Sequence, residues 1–487
     1  MAKMLSKSRV LAARQCPRRL WLEVNRPALR VYDAETRRRF AQGHALNAVV
    51  HRLYPDGVLI ADEVPLGAAL KRTAAHLARR PQRPLFEATF SKHRVLVRAD
   101  IFTRTARGFQ LIEVKSSTRV KPYHLTDCAI QHWVITAAGY PVEQTLLAHI
   151  DSRFIYREEG NYSGLLRHVD VTEEVAQRLP DVPEWVALGI DVLNETREPE
   201  VAVGAQCHDP FECPFLDHCS PPQTEFPVER LPGGGRIVSE LRAEGIEDIR
   251  DIPDGRLHKP LHERARQATL SGTPYIGTEL RRTLAVLPYP RLYLDFETIQ
   301  FAIPRWLGTR PYEQIPFQWS CHSEAEPGQL GHTEFLDISG ELPLRGCAET
   351  LIAALGDRGP VLTYSAFEKT VIRGLAARLP DLGDDLLGLI PRLVDLLPLI
   401  KAYYYHAQMK GSFSIKAVLP TIAPDLTYDD LDEVQDGIGA QIAYEEAINP
   451  ASDEARRTQL SAALRRYCER DTLAMVRLVQ HFAASSK

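Results

Sequence analysis

The sequence predicts an α/β protein of more than one domain, and three observations carry that prediction. A hairpin-like stretch, "VLVRADIFTRTARGFQLIEVKSS" (95–117), stands between helical patterns. A hydrophobic strand, "PRLYLDFET" (290–298), opens a long alternation of strand and helix signals, the mark of a layered α/β domain. Between them "PPQTEFPVERLPGGG" (221–235) carries the Pro/Gly punctuation of a boundary. Three blocks follow: 1–222, a small helical connector at 223–288, and 289–487.

Composition sets the outer limits. The 487 residues are 44% hydrophobic and 25% charged with a net charge of −4, an ordinary globular balance. No run approaches the ~18 continuous apolar residues of a membrane span, so no membrane partner is expected. The first residues lack the apolar core of a signal peptide. With 8 cysteines in so long a chain, a disulfide scaffold is excluded and a reducing cytoplasm is the expected compartment. Charge is uneven: residues 1–40 hold 11 Lys/Arg against 3 Asp/Glu, while 421–460 hold 10 Asp/Glu against 2 Arg. The basic head suits either a phosphate backbone or a solvated helix face.

In the first block, Val95–Phe102 and Phe109–Lys115 read as strands joined by a turn at Gly108. Glu113 and Lys115 lie two apart, so strand periodicity aims both at one face, toward Asp100 on the first strand. Two converging carboxylates can hold a hard divalent cation, and a neighbouring lysine can orient water or neutralise a phosphate oxygen. A plain cross-strand ion pair is the alternative. "RRRFAQGHALNAVVHRL" reads as an amphipathic helix whose His44 can add a ligand, or can be an ordinary surface residue. "YHLTDCAIQHWVITAAGY" reads as a helix presenting Gln131 among apolar neighbours. Taken in order, these elements resemble the RecB-like branch of the PD-(D/E)XK nucleases over roughly residues 10–220. The resemblance implies a restriction-endonuclease core and Mg²⁺- or Mn²⁺-dependent phosphodiester cleavage. His44, Asp100 and Glu113 would bind metal, with Lys115 catalytic and Gln131 supporting.

The block closes on "CHDPFECPFLDHC", with Cys207, Cys213 and Cys219 evenly spaced. Three thiolates do not complete a four-ligand site. The segment resembles the iron–sulfur type of RecB-like nuclease, including AddB-like recombination nucleases and CRISPR-adaptation exonucleases. That resemblance implies a 4Fe–4S cluster whose fourth ligand lies before the catalytic core, which here matches Cys16 in "RQCPRRLWLE". Such a cluster would clasp segments some 190 residues apart. The five residues between Cys207 and Cys213 make a wider first gap than these enzymes usually show. Zinc on four cysteines and unligated thiols stay open as alternatives.

In the third block, strand alternation places Asp295 and Glu297 on one face of "YLDFET". "GPVLTYSAFEKTVIRGLA" reads as strand, turn and helix with Glu368 at the helix start, and "LVDLLPLI" supplies Asp395. In "LRRYCERDTLAMVRLVQHF" Tyr467 and Asp471 are four apart and share a helix face. The set resembles the DnaQ-like (DEDD) exonucleases, which implies a ribonuclease-H-like fold and 3′–5′ exonuclease chemistry. Asp295, Glu297, Glu368 and Asp471 would hold two metal ions, and Tyr467 would orient or help deprotonate water. Glu368 stands where that family normally has aspartate. The stretch "YYYHAQMKGSFSIKAVLPTI" mixes aromatics and lysines, suiting either single-strand contact or core packing. From "YLDFET" through "GSFSIKAVLP" to the acidic loop "PDLTYDDLDEVQDG" the chain also resembles an uncharacterised bacterial domain found fused behind RecB-like nucleases. In the connector, "RIVSELRAEGIEDIRDIPDGRL" resembles a helix–hairpin–helix, whose amides grip phosphates.

The expected function is therefore a two-module metal-dependent DNA nuclease, acting on single-stranded or end-bearing DNA in repair, recombination or defence against foreign DNA, with a helicase or repair partner. An RNA-trimming 3′–5′ exonuclease, or a nucleic-acid-binding iron–sulfur scaffold with a degenerate exonuclease site, are the alternatives.

Overall fold

The computed structural model describes residues 4–60, 65–79, 83–220 and 224–484. They divide into two units: Met1–Pro221 with Phe301–Glu313, and Pro222–Gln300 with Gln314–Lys487. The expected boundary between 222 and 223 falls outside the described residues. No described helix is long and apolar enough to cross a membrane.

The first unit is built on a mixed, seven-stranded sheet. Its strands are β1 (Leu5–Ser6), β2 (Val58–Leu59), β3 (Leu85–Lys92), β4 (Val95–Arg104), β5 (Phe109–Lys115), β6 (Val142–Ile150) and β7 (Leu166–Asp170). They run in the order β2-β3-β4-β5-β6-β7, with β1 parallel to β4. The β4–β5 hairpin pairs Ile101 with Ile112 and Phe102 with Leu111. β5 and β6 are parallel, a pairing that needs a crossover. The helix Pro122–Ala137 supplies it and buries Cys128, Ala129, Ile130, Val134 and Ile135.

Ahead of the sheet, the helices Lys7–Gln15 and Pro17–Asn25 are separated by one residue, Cys16. Pro17 disfavours helical backbone in the residue before it, and Cys16 is accordingly extended at φ −163°, ψ 120°. Proline at the first turn then starts the second helix without losing a hydrogen bond. The break is written in the Cys-Pro dipeptide.

The second unit holds a five-stranded sheet of β9 (Arg291–Ile299), β10 (Ile315–Glu324), β11 (Leu330–Leu336), β12 (Val361–Thr363) and β13 (Leu393–Asp395), in the order β11-β10-β9-β12-β13. A separate two-stranded ribbon pairs β8 (Tyr275–Ile276) with β14 (Tyr404–Tyr405). The leading strand β9 is thus central: antiparallel to β10 on one side, parallel to β12 on the other. The thirty-residue helix Glu454–Ala483 turns Leu464, Cys468, Met475 and Val479 inward. It is capped by Asp453, whose carboxylate accepts from the Arg456 amide at 2.7 Å.

Residues 223–288 do not stand apart as a connector. Leu241, Ile249, Leu280 and Leu284 share one core with Tyr293, Leu362, Leu396 and Val479. The helix Gly235–Ala243 stops near Gly245, at φ +79°, as its sequence implies. The apolar pattern after it forms a 3₁₀ turn, Ile249–Asp251, capped by the Asp248 carboxylate, which accepts from the Arg250 amide at 2.9 Å. Tyr404 and Tyr405 are fully buried, so they belong to the core and are not stacking platforms.

Candidate functional site

The second unit brings three of the expected carboxylates together. One oxygen each from Asp295, Glu297 and Asp471 lies within 4.8 Å of the others. Asp295 and Glu297 arrive by alternation along β9, and Asp471 by the inward face of the long helix. Burial first, then Asp471, Glu297 and Glu368, push the Asp295 carboxyl well above its ordinary range. Glu297 is pushed up likewise, by burial and then by Asp471. An all-carboxylate donor set under mutual repulsion fits a hard divalent cation, which would relieve the repulsion on binding.

Asp295 and Asp471, but not Glu297, open on a cavity of about 700 Å³. Asp295, Glu368, Asp471, Tyr364, Phe413 and Lys401 are among its lining residues. Glu368 departs from the four-carboxylate expectation: it lines this cavity but is not part of the close group. It sits in the first turn of the helix Phe367–Arg378, 3% exposed, and its Oε2 has no hydrogen-bond partner among the described residues. Burial, and then Asp395, push it up to about 8. Asp395 itself caps the helix Leu396–Tyr403, accepting from the Leu397 amide at 3.0 Å. Gly411 completes the wall at φ +80°, where any side chain would strike the Arg230 carbonyl.

Sequence reading missed three groups that hold this trio. Tyr428 donates its hydroxyl to Asp471 Oδ1. Lys416 donates to Tyr467 Oη at 3.1 Å and lies over the rings of Tyr428 and Tyr467, 5.1 and 4.7 Å from their centroids. The Cys468 thiol faces Asp295 Oδ2 at 3.7 Å. Tyr428 lies 43 residues from Asp471, so no local pattern announces it. Burial, then Glu297 and Asp471, push the Tyr467 phenol far up, which keeps it protonated beside the three carboxylates.

In the first unit the expected residues meet differently. Glu113 is 1% exposed, with both carboxylate oxygens engaged. Oε1 accepts from Lys115 Nζ at 2.6 Å and from Lys7 Nζ at 2.7 Å, and Oε2 accepts from Gln131 Nε2 at 2.6 Å. Lys115 also donates to Asp127 Oδ2 at 2.6 Å. Asp100 Oδ2 accepts the Val114 amide at 2.7 Å. Burial, then Glu113, push Asp100 up to about 8. For Glu113 burial acts upward too, but Lys115, Lys7 and Gln131 overcome it and hold the group well below the usual range.

His44 does not join this centre. It is exposed, and among the described residues no group of three ligand atoms forms with Asp100 and Glu113. The helix Ala34–Leu53 buries Leu46, Val49 and Val50. At about 100° per residue His44 falls on the opposite side. Lys7 and Asp127 are the partners that the sequence motif did not name. As placed, Glu113 Oε1 carries two ammoniums and Oε2 one amide donor, so a divalent ion would have to displace an ammonium from Oε1 or share Oε2 with Gln131.

All four cysteines of the expected clasp are free thiols, Cys16 and Cys207 buried, Cys213 and Cys219 half-buried. Gln15 ties their segments together, its Nε2 donating to the carbonyls of Gln206 at 2.7 Å and Phe211 at 2.6 Å. The Cys213 amide donates to the Cys207 carbonyl at 2.7 Å. Burial raises the Cys219 thiol to about 11, with Arg18 opposing and Cys213 and Cys16 adding to the rise. No three of the sulfurs lie within 4.8 Å of one another. Tetrahedral zinc with 2.3 Å bonds would draw them to roughly 3.8 Å. An iron–sulfur cage keeps its thiolates further apart, since the cage lies between them.

Residues 292–414 match a domain of unknown function, DUF2779. No curated protein matches the chain.

Proposed function

We propose that the protein is a metal-dependent nuclease whose hydrolytic centre is the carboxylate cavity of the second unit. The observation that carries this reading is the meeting of Asp295, Glu297 and Asp471, two of which, Asp295 and Asp471, line a cavity wide enough for one nucleotide. Bound there, Mg²⁺ or Mn²⁺ would activate water and neutralise charge on the phosphoryl oxygens. The chain's own part is positional. Asp295, Glu297 and Asp471 would hold the ion, Tyr428 fixes Asp471, and Lys416 takes up the Tyr467 oxygen so that the phenol proton points away from the ammonium. Phe413 and Tyr364 offer apolar cover for a base, and Lys401 a cation for the phosphate backbone.

The strand order supports a ribonuclease-H-like, DnaQ-like reading: a central leading strand, an antiparallel meander on one side and parallel strands on the other. The β4–β5 hairpin with Asp100, Glu113, Lys115 and Gln131 supports a RecB-like core for the first unit. Cys16, Cys207, Cys213 and Cys219 would hold a 4Fe–4S cluster, whose chemistry here is that of a cross-link. The substrate class is single-stranded or end-bearing DNA, in repair, recombination or defence, with a helicase or repair protein as partner. The RNA-trimming alternative separates on the assay.

The test is cleavage of single-stranded DNA, duplex DNA and RNA by the anaerobically purified chain with Mg²⁺ or Mn²⁺. Asp295→Asn should lower cleavage by about 10²-fold or more, as loss of a metal ligand does. If the wild-type chain cuts none of the three, the reading fails.

A further inference from the structure

We propose that Lys7 is the resident cation of the first centre, its ammonium occupying the oxygen that a divalent ion would need. The proposal rests on the RecB-like reading, which supplies the reason to expect an ion there. Glu113 spends Oε1 on two ammoniums, Lys7 at 2.7 Å and Lys115 at 2.6 Å, and Oε2 on Gln131 at 2.6 Å. Lys7 also faces Asp127 Oδ1 at 3.5 Å. Two ammoniums thus pair with Glu113 and Asp127, while the third carboxyl, Asp100, accepts from the Val114 amide beside them. In the second unit the three carboxylates converge on one another, with Lys416 bonded to Tyr467 and to none of them.

Lys115 ends the Glu-x-Lys strand and is held by two short bonds, to Glu113 and Asp127, both at 2.6 Å. Lys7 is placed otherwise. It is the first residue of the helix Lys7–Gln15, reaches Glu113 across 106 positions of sequence, and keeps 26% of its side chain exposed. Its four-carbon stem can therefore swing toward solvent while the helix stays fixed by the Ser6 cap on the Arg9 amide. The first centre is then closed to divalent ions at rest, and the ions load the second unit first.

Manganese binding to the full chain, followed by electron paramagnetic resonance, tests this without any activity measurement. Asp471→Asn silences the second unit in all samples. On that background the chain should bind no tight Mn²⁺. Adding Lys7→Gln, which keeps a hydrogen-bond donor for Glu113, should raise Mn²⁺ affinity at least about tenfold, and Asp100→Asn should abolish the gain. Lys7→Arg keeps the charge and should stay closed, and Lys7→Met should behave as Lys7→Gln. If Asp471→Asn alone already binds one tight Mn²⁺ that Asp100→Asn removes, Lys7 is no barrier and the proposal falls while the nuclease reading of this unit stands. If neither Lys7→Gln nor Lys7→Met binds Mn²⁺, the proposal and the metal-dependent reading of the first unit fall together.

Discussion

Replacing Glu368 by glutamine should make the metal-free second unit less sensitive to alkali. Glu368 is 3% exposed, its Oε2 lacks a partner, and its carboxyl is pushed from an ordinary 4.5 to about 8 by burial and by Asp395. The folded state therefore holds this proton more tightly than the unfolded chain. Stability is whole below the unfolded value and is lost as pH rises from 4.5 through about 8. Between pH 5 and pH 8, at 1.36 kcal/mol per unit, the loss from this group is roughly 3–4 kcal/mol. Glutamine has nearly the same shape and no proton to lose, so most of that slope should vanish. Urea unfolding in EDTA at the two pH values, read by pulsed hydrogen exchange of the peptide covering 367–378, measures it. If Glu368→Gln loses as much stability between pH 5 and pH 8 as the wild type, the buried carboxyl is not the strained group described.

Two further outcomes follow from side chains already placed. Gln15→Ala leaves the carbonyls of Gln206 and Phe211 without their donor, which should cost about 1–3 kcal/mol in the first unit and lower the iron retained by the proposed four-cysteine cluster; unchanged melting and unchanged iron together would remove Gln15 from that proposed clasp. Tyr428→Phe deletes the hydroxyl held by Asp471 and should lower kcat roughly tenfold or more with KM little changed, whereas a change in KM alone would place Tyr428 in substrate binding.

What could be read in advance followed the range of the interaction. Asp295 with Glu297, and Tyr467 with Asp471, are separated by two and four residues, so strand and helix periods alone place each pair on one face. The Cys16–Pro17 break is local for the same reason. His44 shows the limit of the method: its helix was legible, but which side faces the protein depends on the apolar residues Leu46, Val49 and Val50, and they turn it outward. Lys7 and Tyr428 were illegible because each reaches its carboxylate across 106 or 43 residues, a distance at which only the completed fold can pair them. The status of Glu368 lies between the two, since its helix start was readable and its separation from the trio was not.

The shared core of the connector bears on how the molecule can be taken apart. Leu241, Ile249, Leu280 and Leu284 interleave with side chains from β9, β12 and the last helix. A protein cut just before residue 289 would lose those four plugs and present raw apolar sockets beneath the carboxylate cavity. Protease nicking near that point should accordingly leave both pieces bound as one particle, and expression of the later piece alone should give aggregates.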